Sequence, residues 1–444
     1  MSSPGSRLTL RRALVAVGVL LVLVVGGAVS FLLLHKPGNV SNPKVEFTRP
    51  TPTPDTPPFD WPTYGYDAAR TRYFPSGTKL DPPFHVGWQF EDFALLEFPP
   101  VIYGHVLYLI DDDGSAKGID ARNGHKLWET KLGMLAAASP AVGAKQGLVF
   151  VPVLSIHGHS PGNGKFVALS MKTGRVVWSR PIPAGTESSP LASGDSVYFG
   201  DQSGAVYSLN ASTGQVNWIY HAASSVKGGP ALADGRLFFG DYAGRAYALN
   251  PANGHKIWAV ATNGAEFGFG SGNFYSTPAV AFGRVYMGNT DGRVYSFGEK
   301  TGALGWATGT GAYVYASPAV ADLPGIGPTV YEGSYDGHFY AFNAQTGAIR
   351  WAHRAGGRIS GSATILGNIV YYSTLGLRTT TGLDAITGKK VFFWDDGAFN
   401  PIIADNSTVY LTGYTKLYEM IPVHARTGAA TSASGTTTGA GQSP

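Results

Sequence analysis

The sequence contains no cysteine, and only 14% of its 444 residues are charged. The absence of cysteine excludes a disulfide framework, a thiolate zinc site and a lipidated N-terminal cysteine. The low charge leaves few of the glutamate and lysine residues that long surface helices use. What the chain has instead is 60 glycines and 29 prolines, which are typical of turns. This composition favours short strands joined by many turns.

The net charge of +4 comes from the N-terminus. Four of the 33 basic residues lie in the first 36 positions, which contain no acid, so the remaining 29 bases match the 29 acids. Nucleic-acid phosphates are bound by a concentrated basic surface. A neutral body therefore predicts no nucleic-acid partner.

Residues 13–34 form an apolar run without a charge, ALVAVGVLLVLVVGGAVSFLLL. At ~1.5 Å per residue, this run is long enough to cross the ~30 Å core of a bilayer. Arginines in the basic N-terminus, residues 1–12, predict that this end stays in the cytoplasm and that the rest of the chain is outside the plasma membrane. A signal peptide cleaved at Ala28-Val29-Ser30 is the alternative, but the apolar run continues through Leu34, which favours a single-pass anchor.

Two further segments have biased compositions. Residues 35–60 are rich in proline and predict an extended linker. Residues 424–444 are mainly Ala, Ser, Thr and Gly and predict a disordered tail. Residues 61–423 remain as the globular part of the chain.

One motif recurs along this part, a glycine followed four residues later by tryptophan. Trp88 lacks the preceding glycine, and a degraded last copy ends in phenylalanine. The repeat positions are Trp88, Trp128, Trp178, Trp218, Trp258, Trp306, Trp351 and Phe392. A separate count of the small-residue or proline segments before each apolar run also gives eight.

Each repeat reads as four short antiparallel strands. In VYFGDQSGAVYSLNASTGQVNW, from Val197 to Trp218, two β-rich runs flank a glycine-containing turn, and a second turn leads to an outer strand. One such sheet cannot bury both faces, whereas a ring of eight sheets lets each cover the next. The predicted fold is an all-β, eight-bladed β-propeller with tryptophan-docking repeats, preceded by one transmembrane helix.

These repeats resemble those of the pyrroloquinoline-quinone (PQQ) propeller superfamily. It includes quinoprotein alcohol dehydrogenases and non-catalytic members such as the propeller lipoprotein of the outer-membrane β-barrel assembly machinery. The resemblance covers about residues 61–423, and WPTYGYDAARTRYFPS (61–76), here called the lead-in segment, is similar to the segment before the first outer strand of the dehydrogenases. It departs from their pattern at Tyr66, where a second glycine is usual.

The repeat count predicts how the ring closes. Trp88 marks an outer strand with no inner strands before it, so its partners are expected from residues 400–404, 408–412 and 415–421. The last blade would then be built from both ends of the domain, which leaves no open sheet edge at the junction.

Two groups of residues suggest metal binding but have simpler interpretations. His157 and His159 lie in a glycine-rich stretch that favours a long loop over an ordered metal site. Asp201 and Asp241 fall at the same hairpin turn of successive repeats, where aspartate caps backbone amides. No metal site is predicted.

Better candidates lie three positions before the proline-like residue of each inner strand, because these positions should form one circle at a channel mouth. The eight positions are Glu97, Ala137, Glu187, Lys227, Tyr275, Tyr315, Ile359 and Ala398. Glu97, Glu187, Lys227, Tyr275 and Tyr315, with Arg358 beside them, predict a polar and aromatic rim that binds a ligand or partner. The alternative is a solvated rim with a Glu187–Lys227 ion pair. The insert 263–275 would lie near the same rim as a binding loop or a flexible one.

Two functions remain open. One is a non-catalytic binding or assembly scaffold at the cell envelope, with no cofactor, which presents the rim to an envelope protein or a small ligand. The other, implied by the resemblance, is a PQQ-dependent dehydrogenase that holds the quinone with calcium and oxidises an alcohol or sugar. The absence of cysteine removes the adjacent-cysteine disulfide of the alcohol dehydrogenases, and nearly every tryptophan is committed to packing. The sequence therefore favours the scaffold, with no catalytic residue.

Overall fold

The structure, a computed structural model, describes residues 15, 17–26, 38–49 and 60–423 except 78, 159, 161 and 263–271. It divides into two units, Met1–Asn39 and Val40–Pro444. In the first unit, residues 17–26 are helical. Within the described part of the chain, no helix is long and apolar enough to cross a membrane, and the rest of the predicted span 13–34 lies outside it. The transmembrane helix is therefore not confirmed.

The second unit is an eight-bladed β-propeller, as predicted. Three strands precede the first complete repeat: β1 (Val40–Ser41), β2 (Tyr73–Phe74) and β3 (Phe84–Glu91). Blade 1 contains β4 (Val101–Tyr103), β5 (Val106–Ile110), β6 (Ser115–Asp120) and β7 (Lys126–Lys131), and blade 2 contains β8 (Ala141–Gly143), β9 (Leu148–Val153), β10 (Gly164–Ser170) and β11 (Val176–Ile182). Blade 3 contains β12 (Leu191–Ser193), β13 (Ser196–Gly200), β14 (Ala205–Asn210) and β15 (Val216–His221), and blade 4 contains β16 (Ala231–Ala233), β17 (Arg236–Gly240), β18 (Arg245–Leu249) and β19 (Lys256–Ala261).

Blades 5 to 8 follow the same plan. Blade 5 contains β20 (Ala279–Ala281), β21 (Arg284–Asn289), β22 (Arg293–Gly298) and β23 (Leu304–Gly309), and blade 6 contains β24 (Ala319–Leu323), β25 (Gly327–Gly333), β26 (His338–Asn343) and β27 (Ile349–Arg354). Blade 7 contains β28 (Thr364–Leu366), β29 (Ile369–Thr374), β30 (Thr379–Asp384) and β31 (Lys390–Trp394), and blade 8 contains β32 (Ile402–Ala404), β33 (Val409–Thr412), β34 (Lys416–Pro422) and β3. Within each blade, neighbouring strands are antiparallel and run from the inner strand to the outer one.

The core lies between the blades. The second and third strands are almost fully buried, whereas outer strands such as β7 alternate between exposed and half-buried residues. Side chains of neighbouring sheets meet face to face. Phe166 of blade 2, for example, stacks on Phe199 of blade 3 with ring centroids 4.0 Å apart. Each sheet thereby buries its apolar faces against its neighbours.

The eighth blade closes the ring as predicted. Strand β3, from the N-terminal side of the domain, pairs antiparallel with β34 from the C-terminal side, with Phe84 opposite Pro422 and Glu91 opposite Lys416. Closure removes the exposed sheet edge that an incomplete blade would leave.

The repeat tryptophans join neighbouring blades. In all seven cases, the indole N–H donates to a backbone carbonyl of the next blade at 2.8–3.2 Å, as Trp178 does to Ala211. The ring also lies over the repeat glycine of that next blade. Gly214 has φ +70°, and a Cβ added there would lie 2.6 Å from the Trp178 ring. Two constraints therefore require glycine at this position: the positive φ of its backbone and the tryptophan ring that lies against it.

The two irregular copies of the motif both concern the junction of blades 7 and 8, where the tryptophan–glycine contact is missing. In blade 8, the third and outer strands come from opposite ends of the domain, so no turn joins them and no repeat glycine precedes Trp88. Phe392 of blade 7 occupies the position that would dock on that turn. Its ring packs instead against Phe84 of β3, with centroids 5.3 Å apart. Phenylalanine at this position requires no carbonyl acceptor for an indole N–H.

The lead-in segment lies inside the ring of inner strands. Its carbonyls accept backbone N–H groups from the inner strands of six blades in order around the ring, and the donors are Ile102, Val142, Leu232, Val280, Val320 and Ile365. In blade 3, the Arg70 side chain donates to the carbonyls of Ser189 and Pro190 at 3.2 and 3.0 Å. The segment thus satisfies inner-strand edges that would otherwise face the channel unpaired.

Part of the predicted linker is packed rather than extended. Strand β1 adds to the outer edge of blade 5, with Val40 opposite Ala307. Buried Arg284 donates to the carbonyls of Val45 and Glu46. The linker prediction over 35–60 therefore does not hold for residues 40–49, which lie along blades 5 and 6.

The tryptophan–glycine contact leads to a stability prediction. Gly214→Ala places a methyl group against the Trp178 ring and should cost at least ~2 kcal/mol, since both overpacking and a positive φ are unfavourable. Gly194→Ala is the matched control: φ there is +59°, but nothing lies within 4 Å of the added Cβ, so roughly 1 kcal/mol is expected. Urea unfolding followed by tryptophan fluorescence measures both. Equal losses would show that the ring contact does not constrain the glycine.

Candidate functional site

A cavity of about 260 Å³ opens at one mouth of the channel. Five of the predicted rim residues line it: Glu97, Glu187, Lys227, Tyr275 and Tyr315. They converge because each lies in the loop that leads from an outer strand to the next inner strand. The lead-in residue Tyr64 also lines the cavity.

The other predicted positions lie elsewhere. Ala137, Ile359 and Ala398 are buried and do not line the cavity. Arg358 is exposed, and its guanidinium carbon lies 5.8 Å from the centre of the Tyr335 ring. Of the predicted insert 263–275, residues 263–271 fall outside the described residues.

Glu187 is the centre of a hydrogen-bonded network. Its Oε1 accepts from Lys227 Nζ at 2.9 Å and from Gln202 Nε2 at 2.8 Å. Its Oε2 accepts from the Tyr275 hydroxyl at 3.2 Å. The side chain is buried, so the ion pair with Lys227 compensates a charge that water reaches poorly. The sequence-based alternative of a Glu187–Lys227 ion pair is therefore present, as part of a larger network.

Unlike Glu187, the Glu97 carboxylate has no positively charged partner among the described residues. Its carboxylate makes no hydrogen bond or ion pair with any described residue, although it lines the same cavity. Burial, with the nearby negative charges of Asp112 and Glu187, raises its pKa to about 7. Near neutral pH, this carboxyl therefore exchanges between its protonated and ionised forms.

Tyrosine rings form one wall of the mouth. Tyr275 and Tyr315 meet edge to face with centroids 5.8 Å apart, and Tyr315 lies 4.8 Å from Tyr335. Burial raises the pKa of Tyr275 well above its ordinary value, so its hydroxyl stays protonated and can donate to Glu187. The wall thus offers ring faces and neutral hydroxyl groups.

Sequence reasoning missed a second set of mouth residues. Gln202, Tyr242 and Tyr335 lie in the turns between the second and third strands of blades 3, 4 and 6. Each follows directly on the aspartate or serine of its turn, and Asp112 has the same place in blade 1. The signal was therefore available: these turns reach the same end of the channel as the loops that carry Glu97 and Glu187.

A belt of small polar residues lies below the rim. Backbone N–H groups of one blade donate to the side chain of the next, as Thr277 does to Ser317 at 2.9 Å and Ser317 to Ser362 at 3.1 Å. Asn400 completes this part of the belt by donating to the Glu97 carbonyl at 3.1 Å. The belt explains why serine, threonine or asparagine so often precedes the proline of the inner strand.

The turn interpretation of the aspartates is confirmed. Asp201 Oδ1 accepts from the N–H groups of Ser203 and Ala205 at 2.9 Å, and Asp241 makes the equivalent bonds in blade 4. No group of three His, Cys, Asp or Glu side chains suited to a metal occurs among the described residues. His159 lies outside them.

These features define the class of the protein: an eight-bladed propeller of tryptophan-docking, PQQ-like repeats with a polar and aromatic channel mouth. The family model described as "Outer membrane protein assembly factor BamB" matches residues 86–260 and 290–397. The chain belongs to that family.

Solved structures share this architecture. BamB from Moraxella catarrhalis is 17% identical with a TM-score of 0.62, over 77% of this chain and 99% of that one. A europium-containing methanol dehydrogenase is 14% identical with a TM-score of 0.67, over 82% and 98% of the two chains. At these identities the likeness shows the fold alone.

One relative was found by sequence. It is the 1-butanol dehydrogenase (cytochrome c) of Thauera butanivorans, which is 28% identical over 135 residues. The match covers 27% of this chain and 18% of the enzyme's length. The shared part is thus a small fraction of that enzyme.

The carboxylates of the mouth do not match the calcium site that the dehydrogenase resemblance implies. Calcium takes ~6–8 oxygen ligands, usually with several carboxylates. The carboxylates that line the cavity are those of Glu97 and Glu187, and both oxygens of Glu187 already accept hydrogen bonds. Among the described residues of the lining, Glu97 is therefore the one carboxylate that is not already hydrogen-bonded, which is fewer than a typical calcium site uses.

Glu97 leads to a pH-dependent stability prediction. Because its pKa is raised in the folded state, ionisation of Glu97 opposes folding, and stability is lost as the pH rises from about 4.5 to about 7. Glu97→Gln removes this cost, so its melting temperature should exceed that of the wild type by roughly 2 °C at pH 8. Little difference is expected at pH 4.5. Differential scanning calorimetry at both pH values measures the effect.

The control is Glu91→Gln, the same substitution at a carboxylate of β3 that is 63% exposed. At pH 8, its effect on the melting temperature should be smaller than that of Glu97→Gln. A Glu97→Gln protein that melts below the wild type at pH 8 would contradict the assignment of an uncompensated carboxylate.

Proposed function

We propose that this chain is a non-catalytic binding or assembly module of the cell envelope. Its channel mouth presents Glu97, Glu187, Lys227, Tyr275 and Tyr315, with Arg358 exposed nearby, to a partner protein or a small ligand. The observation that carries the proposal is the set of hydrogen bonds that Glu187 accepts from Lys227, Gln202 and Tyr275. Both oxygens of Glu187 are engaged, which favours a role in ordering the mouth over a role as a base or a metal ligand. Membership of a family named for an assembly factor supports the same function.

The second candidate is a PQQ-dependent dehydrogenase of alcohols or sugars. Its support is the methanol dehydrogenase structure and the partial match to the 1-butanol dehydrogenase. The donor set at the mouth weighs against it. The propeller alone does not decide between the two, since one fold hosts many functions.

Titration with PQQ and calcium separates the two candidates. We expect the purified full chain to show no stoichiometric change in quinone absorbance and no alcohol-dependent reduction of a dye, because the described lining offers Glu97 and Glu187 as its carboxylates and Glu187 is already hydrogen-bonded. Glu187→Ala should be as inactive as the wild type. Stoichiometric quinone binding, with turnover that is lost in Glu187→Ala, would establish the dehydrogenase instead.

We also propose that residues 13–34 anchor the chain in the plasma membrane, with the N-terminus inside and the propeller outside. The support is the uncharged apolar run and the arginines before it.

Fractionation of intact cells tests this anchor. The full chain should remain with membranes after a high-salt wash and be cut by protease added outside, because an apolar span resists salt. A variant that lacks residues 13–34 is the control and should not reach the membrane fraction. A mature N-terminus near Phe31 would show that the segment is a cleaved signal peptide.

A further inference from the structure

We propose that the cavity at the channel mouth binds an organic cation, a protonated amine, with Glu97 as its counter-ion. This inference rests on the proposed function, since it takes the mouth to be a binding site, and it adds the chemical class of the ligand.

The charge of the cavity lining favours a cation. Glu97, Glu187 and Lys227 are its charged residues. Lys227 and Glu187 compensate each other, with Nζ and Oε1 2.9 Å apart. Glu97 remains, and Asp112 adds negative charge close to it. The lining is therefore negative when Glu97 is ionised.

The Glu97 carboxylate has neither a hydrogen-bond donor nor a cation beside it among the described residues. A partly buried carboxylate without a donor or a cation is unfavourable, and an opposite charge within ~4–6 Å stabilises its ionised form. An anionic ligand would be repelled by the same side chain. A cation with N–H groups supplies both the charge and the hydrogen-bond donors.

The aromatic wall of the cavity also favours a cation. Tyr275, Tyr315, Tyr335 and Phe98 line the cavity, and aromatic ring faces attract cations. The protein's own cations near the mouth already use this attraction. Lys227 Nζ lies 5.1 Å from the centre of the Tyr242 ring, and Arg358 lies over Tyr335.

The size of the cavity limits the ligand. Its volume of about 260 Å³ is below the ~300–1,000 Å³ of typical small-molecule sites. A small amine fits this space, and so does one lysine side chain of a partner protein. Both sources carry the same ammonium group, so the test must distinguish them.

Binding should depend on pH through Glu97. The charged and titratable groups that face it are Asp112 from a turn of blade 1, Glu187 from the loop before β12, and Tyr275 from the loop before β20. An alkylammonium stays protonated up to pH ~10. Ionisation of Glu97 with a pKa of about 7 therefore makes binding about tenfold weaker at pH 6 than at pH 8.

Calorimetric titration of the full chain tests the proposal, with n-butylammonium as the probe and n-butanol as its neutral counterpart. At pH 8 we expect one n-butylammonium per chain and at least tenfold weaker binding of n-butanol. Glu97→Gln should reduce the affinity for n-butylammonium at least tenfold and remove its pH dependence. Glu91→Gln, on the outer strand β3, should bind like the wild type.

A second variant tests the role of the ion pair. Lys227→Met frees the Glu187 carboxylate, so n-butylammonium should bind more tightly than to the wild type. A short peptide with one central lysine then identifies the source of the cation. Tighter binding of the peptide than of n-butylammonium indicates a partner's side chain, and equal or weaker binding indicates a free amine.

The proposal is wrong if n-butylammonium binds no better than n-butanol, or if binding survives Glu97→Gln unchanged. Either result would leave the non-catalytic function standing. Stoichiometric binding of PQQ with turnover would overturn that function separately, so the two failures can be told apart.

Discussion

A ring of eight sheets has one junction at which the chain cannot supply a continuous blade, and the whole molecule depends on how that junction is closed. Strand β3 pairs with β34 there, and residues from both ends of the domain complete one sheet. The regular blades are joined by tryptophan rings on repeat glycines. At the junction both partners of that contact are changed together: Trp88 has no preceding glycine, and Phe392 replaces tryptophan. Both irregularities of the repeat therefore lie at the closure of the ring.

Closure also determines where a site can form. The chain reaches β3 only after the lead-in segment has crossed the channel and paired with the inner strands in turn. That segment occupies the axis, and Tyr64 within it lines the remaining cavity. Side chains at the open mouth come from the loops before the inner strands and from the turns between second and third strands. The mouth is thus the place where the repeat varies without loss of packing.

The fold could be predicted from the sequence because the docking contact repeats at nearly constant spacing. The recurring glycine–tryptophan motif, together with its two irregular copies at Trp88 and Phe392, was enough to count the blades and to expect closure from both ends. Glu187, Lys227, Tyr275 and Tyr315 could also be placed, since equivalent positions in a ring lie on one circle.

Other features could not be predicted, for physical reasons. The packing of residues 40–49 depends on Arg284, a distant residue whose guanidinium binds the carbonyls of Val45 and Glu46. A proline-rich composition contains no trace of that contact. Gln202 and Tyr242, by contrast, could have been predicted, because their turns reach the same end of the channel as the loops that carry Glu187 and Lys227. The protonation state of the Glu97 carboxyl depends on its burial and on the charge of Asp112, which only the assembled ring brings near it.

The central claim is that the N-terminal part of the domain, from the lead-in segment through β3, is an integral part of the ring. Hydrogen exchange measured by mass spectrometry on the native full chain tests it most directly. Peptides that cover the inner strands β4, β16 and β24, and those of β34, should exchange as slowly as peptides of β13 and β14 in blade 3, because the N–H groups of the inner strands donate to the lead-in segment and β34 pairs with β3. Exchange of these peptides within seconds, while blade 3 stays protected, would contradict the claim.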